Sequence, residues 1–148
     1  MKDIVCPRKT EIDELMFLKG TILRINLNNI GLYVGQPVML DIITNNPGLT
    51  QKVLADIANI KPSTVNVMLG RMAKNGLVEI KKDENNSKLS RVYITETGKK
   101  LFKKCDKFKQ QLDEFMFEGL STEEIQNFNS ALLKINNNLR RKLKEEEK

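Results

Sequence analysis

Ser63, Thr64, Asn66, Val67, Arg71 and Lys74 have the types and the spacing to read and hold a polyanion. They share one face of a helical segment, opposite an apolar stripe of Val65, Met68, Leu69 and Met72 at i, i+3, i+4 and i+7. Small polar groups near a helix N-terminus let the helix approach base edges closely, and the helix dipole favours phosphate there. Asn66 suits paired hydrogen bonds with an adenine, while Val67 and the Thr64 methyl suit a thymine methyl. Arg71 and Lys74, further along, suit phosphates. The alternative for each of these residues is a plain solvated position.

Catalytic chemistry finds much less support. The chain of 148 residues has no histidine, the commonest general base and metal ligand. There is no Gly-rich phosphate loop, no nucleophile elbow and no paired acid cluster, so neither an enzyme nor a cofactor is expected. Cys6 and Cys105 are too few for a disulfide framework and lack metal-ligand spacing, so no metal is expected either. No apolar run reaches the length of a membrane span, and the polar start with Asp3 is unlike a secretion signal; the expectation is a cytoplasmic protein. The net charge of +6 is unevenly spread, with ten basic against five acidic residues between positions 49 and 100. That excess coincides with the helix described above.

The elements that must position these residues follow from periodicity and punctuation. Thr10 with Asp13 caps a first helix whose stripe is Leu15, Leu18, Ile22 and Ile25, ended by Asn26, Asn28, Asn29 and Gly31. Pro37 suits the first turn of a second helix, which stops at Asn45-Asn46-Pro47-Gly48. Thr50 caps a third helix, Gln51 to Ala58, with Val53, Leu54 and Ile57 expected inward. Pro62 opens the fourth helix and Asn75-Gly76 closes it. Leu77 to Lys82 and Arg91 to Ile94 read as strands around a loop, Asp83 to Lys88, that is expected to be too polar to pack. Lys88 and Arg91 are placed to reach a phosphate or an adjacent minor groove, or else simply to keep a hairpin soluble.

Thr95 starts a long helix with Leu101, Cys105, Phe108, Leu112 and Phe115 in register, broken by Gly119. Ser121 and Glu124 form a capping box for a last helix carrying Ile125, Phe128, Leu132, Ile135 and Leu139. Its end, Lys144 to Lys148, is expected to fray. The predicted fold is mainly α with a small β-wing: a winged helix-turn-helix flanked by N- and C-terminal dimerisation helices. Residues 1–148 form one such domain, with 36–98 as the winged lobe and 10–31 and 99–143 as the helical dimerisation region.

The runs Leu49-Thr50-Gln51, Ile60-Lys61-Pro62-Ser63-Thr64-Val65, Leu69-Gly70-Arg71-Met72, Asn75-Gly76-Leu77-Val78 and Val92-Tyr93-Ile94-Thr95-Glu96-Thr97-Gly98 resemble the MarR family of bacterial winged-helix regulators. The resemblance implies a homodimer on a pseudo-palindromic operator of double-stranded DNA, usually as a repressor released by a small ligand or by oxidation. The candidate DNA-contacting set is Gln51, Ser63, Thr64, Asn66, Val67, Arg71, Lys74, Lys88 and Arg91. An aromatic or phenolic effector would enter near Leu15 to Ile22, Met39 to Ile43 and the start of the Thr95 helix. Cys6, beside Arg8 and Lys9, is either a redox sensor or an incidental thiol, and Cys105 is a small core residue.

Several positions depart from the family pattern. Asn86, Ser87 and Lys88 stand where its wing carries Asp-Arg-Arg, Val67 where Arg is common, and Lys61 where Ser caps the recognition helix. Gly70 stands where Asp is common, at a helix cost of about 1 kcal/mol relative to Ala. The weakened wing keeps open an alternative, a winged-helix protein-interaction module without sequence-specific DNA binding.

Overall fold

The computed structural model describes residues 10–146. Its elements run α1 (Glu11–Asn29), α2 (Gln36–Asn45), β1 (Leu49–Thr50), α3 (Gln51–Ala58), α4 (Pro62–Lys74), β2 (Val78–Lys82), β3 (Ser90–Ile94), α5 (Glu96–Met116) and α6 (Thr122–Glu146). The three strands make one antiparallel sheet in the order β1-β3-β2, so the fold is mainly helical with a small β-wing. The described residues form two compact units, the first ending at Lys109 and the second beginning at Gln110. No helix among them is long and apolar enough to cross a membrane.

Caps and turns set the element boundaries in the first unit. The Thr10 hydroxyl accepts from the Asp13 amide (3.2 Å) at the start of α1. Before α2, the Gln36 side-chain carbonyl accepts from the Tyr33 amide (2.9 Å), which explains a glutamine only 2% exposed. Thr50 caps α3 through the Val53 amide, as its sequence position predicts. Leu32, Met39, Leu40, Ile43, Leu54, Val65, Leu69, Met72 and Val92 form the centre of the core. Burial of each such side chain stabilises the fold by about 1.5–3 kcal/mol, and together they press α4 outward from behind.

The joint between α4, β2 and α5 is unusually tight. The Thr95 hydroxyl donates to the Gly76 carbonyl (2.6 Å) and accepts from the Gly98 amide (3.0 Å). A Cβ on Gly98 would lie 2.1 Å from the Leu77 carbonyl oxygen, so the first turn of α5 rests directly on backbone.

Several expectations are corrected. Val53 and Ile57 face solvent, at 41% and 51% exposure; Leu54 is buried as expected, and its companion inside is Ala55. Helix α3 lies against α2 and α4, and its alanine side allows the close approach that the branched side would block. Strand β1 was not foreseen: Leu49 pairs with Val92 and Thr50 with Arg91, two residues being too short for a period-2 pattern. The strands also start one residue differently, at Val78 and Ser90. The Asp83–Lys88 loop does pack at its base, because Asp83 is only 9% exposed.

In the second unit, Gly119 (φ +83°) follows the end of α5 at Met116, as the sequence suggests. Ser121 and Glu124 form the expected capping box, the Ser121 amide donating to the Glu124 carboxylate (2.8 Å) and the Glu124 amide to the Ser121 hydroxyl (3.3 Å). The Phe117 and Phe128 rings meet edge to face, with centroids 5.8 Å apart. Helix α6 continues through Glu146, into the stretch expected to fray, whose last two residues lie outside the described ones. None of the helix's side chains is buried and Phe115 on α5 is 70% exposed, so the α6 seam lies uncovered on a single chain, while Leu112 on the α5 seam is buried.

Candidate nucleic-acid interface

Helix α4 presents its two faces as the periodicity predicts. Val65, Leu69 and Met72 are buried, Met68 packs at their edge, and Ser63, Thr64, Asn66, Val67, Gly70, Arg71 and Lys74 are all exposed. Lys61 occupies the N-cap with no side-chain cap; Pro62 has no N–H and the Thr64 amide donates to the Lys61 carbonyl (2.9 Å), so only the Ser63 amide of the first turn faces outward without a partner among the described residues. Arg71 and Lys74 lie in the last turn, where positive charge is favoured by the dipole. Thr64, Val67 and Arg71 line a groove of about 360 Å³ whose far wall is Tyr33 and Val34. Those two residues, 57% and 66% exposed, carry no charge or periodic signal and were missed in the sequence.

The structure also brings the start of α3 to the wing. Gln51 and Lys88 line one groove of about 270 Å³, together with Lys52, which the sequence reading counted only as charge. The Lys88 amide donates to the Asn86 side-chain oxygen (3.1 Å), while its ammonium forms no ion pair among the described residues.

Arg91 is placed differently. Its Nε donates to Asp83 and its Nη1 donates to the Gly48 carbonyl (2.8 Å). The Asp83 carboxylate also accepts from the Asn85 and Asn86 amides (2.9 and 2.8 Å). The Arg91 hydrogen bond holds the Asp83 carboxyl below its ordinary pKa; burial opposes this, and the two amides reinforce it. Lys81 pairs with Glu79 (2.8 Å) and lies over the Tyr93 ring; that hydrogen bond raises its pKa.

Of the ten cations between positions 49 and 100, ion pairs among the described residues engage Lys81, Arg91 and Lys99. Lys52, Arg71, Lys74 and Lys88 form none there, so the positive excess of this segment is displayed on α3, α4 and the wing tip. Burial pushes the Cys105 thiol up, which leaves it protonated and inert at neutral pH. Cys6 lies outside the described residues. The described residues hold no cluster of three or more His, Cys, Asp or Glu suited to a metal ion.

Comparison with known proteins agrees with this geometry. Residues 39–79, from α2 into β2, match a family model described as winged helix-turn-helix DNA-binding. The chain is 26% identical over 131 residues to the HTH-type transcriptional regulator YybA of Bacillus subtilis, itself uncharacterised, covering 88% of this chain and 87% of that protein. A solved MarR family transcription regulator superposes with a TM-score of 0.78 at 19% identity, covering 89% of this chain and 87% of the other. FabT of Streptococcus pneumoniae, solved in complex with DNA, superposes with a TM-score of 0.72 at 19% identity, covering 86% and 94%. Residues 39–79 carry a match to a winged helix-turn-helix DNA-binding domain, and the chain has the fold of MarR family transcription regulators.

Proposed function

We propose that this protein represses transcription by binding a pseudo-palindromic operator as a homodimer. The observation that carries the reading is the outward face of α4, where Ser63, Thr64, Asn66 and Val67 stand beside Arg71 and Lys74, which form no ion pair among the described residues. In the major groove Asn66 pairs with an adenine edge and Val67 meets a thymine methyl, while Ser63, Arg71 and Lys74 hold phosphates. Gln51 and Lys88 hold the backbone beside the groove. Residues 36–98 act as the DNA-binding lobe, and 10–31 with 99–143 as the dimerisation helices.

The uncovered seams support the dimer. Helix α1 leaves Leu15, Leu18, Ile22 and Ile25 each 38–43% exposed, and α6 buries none of its side chains. A second copy covers such faces at once, with the two-fold symmetry that a palindrome mirrors. Release by a small aromatic effector is supported by two clefts beside Cys105, of about 130 and 170 Å³, edged by Lys109 and Lys104 respectively. Both are smaller than a formed pocket for a drug-sized ligand (about 300–1,000 Å³), so the effector would widen one on entry.

Fluorescence anisotropy on DNA from the protein's own upstream region, against unrelated DNA, tests the reading. Tight, steeply salt-dependent binding to the upstream probe alone, at two chains per site, is expected. No binding to either probe at low salt overturns it in favour of a protein-interaction module.

A further inference from the structure

We propose that Arg91 and Asp83 are positioning residues for the wing: their ion pair clamps the wing to the turn before β1 and fixes how Lys88 is presented. The Arg91 guanidinium itself does not contact DNA. This inference rests on the regulator reading above.

Asp83 opens the most polar stretch of the lobe, yet its side chain is 7% exposed. A carboxylate at the base of a DNA-binding wing opposes phosphate unless it is neutralised, and burying it requires a partner. Arg91 supplies both the charge and the hydrogen bond. The same guanidinium reaches the Gly48 carbonyl, 43 residues earlier in the chain, so one planar group joins the wing base to the turn that leads into β1 and α3.

From Asp83 the bonding continues outward. Its carboxylate accepts from the Asn86 amide, the Asn86 side chain accepts from the Lys88 amide, and the Asn86 carbonyl accepts from the Leu89 amide (2.9 Å). The Asp83 amide closes the loop on the Leu89 carbonyl (3.0 Å). An unbroken path therefore runs from Gly48 through Arg91, Asp83 and Asn86 to Lys88. Gly48 (φ +80°) is itself fixed, its amide donating to the Val92 carbonyl (3.0 Å) while the Tyr93 ring fills the space a Cβ would need. The planar guanidinium serves both acceptors from one pre-organised group; a lysine ammonium, a point charge on a flexible stem, lacks that fixed fork.

The clamp and a direct phosphate contact predict opposite outcomes, which anisotropy titrations over a salt series distinguish. If Arg91 touches phosphate, R91Q lowers the log K against log salt slope by about 0.9, R91K binds nearly normally, and D83A binds more tightly because a negative charge is gone. The clamp predicts instead that R91Q, R91K and D83A each lose about tenfold in operator affinity with a slope like the wild type's. The R91Q/D83A double variant then loses no more than either single, because both break one unit. K88Q serves as the control whose slope does fall.

Amide hydrogen exchange at Asn85 and Asn86, faster in D83A and R91Q, reads the clamp without DNA and checks that the variants are folded. If D83A does not fold, R91K alone decides: near-normal affinity overturns the clamp and a tenfold loss upholds it. Wild-type protein that ignores both operator and random DNA overturns the regulator reading. Unchanged exchange at Asn85 and Asn86 in R91Q overturns the clamp itself.

Discussion

The recognition helix and the wing both belong to the first unit and both carry cations, but they handle them in opposite ways. On α4, Arg71 and Lys74 are exposed and form no ion pair among the described residues, and the helix start has no side-chain cap. On the wing, Arg91 is engaged with Asp83 and Gly48, and Lys81 with Glu79; Lys88 at the tip is without an ion pair there. The helix needs no internal clamp because its backbone and its buried stripe hold its shape. A two-stranded hairpin with a seven-residue tip has neither, so side-chain ties must supply its rigidity. Charge on the helix is for display, and most charge on the wing is for support.

The strongest way to break this contrast is to disturb the joint that the two regions share. Gly98→Ala drives a methyl into the Leu77 carbonyl, where α4 ends and β2 begins. We expect a loss of about 3 kcal/mol or more in chemical denaturation, with helix and wing failing together. A loss under 1 kcal/mol would mean that the joint yields and the regions are independent.

Substitutions on the helix sharpen the comparison next. Asn66→Ala should lose about 1–3 kcal/mol at a single base pair of the operator and little elsewhere. Arg71→Ala should weaken every sequence alike and lower the salt slope by about 1. Equal losses on all sequences for both variants would remove Asn66 from base readout.

Gly70 offers a smaller and more telling effect. Nothing lies within 4 Å of a Cβ built there, so no packing inside the chain requires a glycine. Gly70→Ala should raise stability by about 1 kcal/mol in thermal or denaturant unfolding. If the backbone of α4 lies close to DNA at this point, operator affinity falls while stability rises; a rise in both places the DNA further away.

The smallest effect near neutrality concerns pH. Asp83 has its pKa lowered in the fold, so its contribution is complete above the ordinary carboxyl value of 3.8 and is lost as pH falls through the lower folded value. Exchange protection at Asn85 and Asn86 should therefore be flat from pH 7 to 5, after correction for intrinsic exchange rates, and collapse only in strong acid. Loss of protection near pH 6 would contradict the assigned ion pair.

Legibility in the sequence followed the range of the interaction that decides each feature. Helix α4 was readable because Pro62, the 3.6-residue stripe and Asn75-Gly76 are all local signals, and the Ser121–Glu124 box is local in the same way. The side of α3 that turns inward was misread, since Val53 and Ile57 look more apolar than Ala55. Burial there depends on how closely α2 and α4 approach, which no local pattern encodes. The clamp was hidden for a related reason. A tally of charges treats Asp83 and Arg91 as one acid and one base, and cannot see that they meet across the wing with Gly48 as the third member. The groove wall of Tyr33 and Val34 was invisible because its residues are ordinary and only their placement is informative.

Helix α6 has a consequence for how such a regulator responds to its own abundance. A helix of 25 residues with no buried side chain is marginal in water unless something covers it. When the cover is another copy, the folded population obeys mass action, and melting temperature rises with protein concentration. Dilution then removes the dimer and its paired grip on two half-sites in one step. Operator occupancy would fall more steeply than the protein level does, giving the promoter a threshold set by an interface distant in sequence from any base-reading residue.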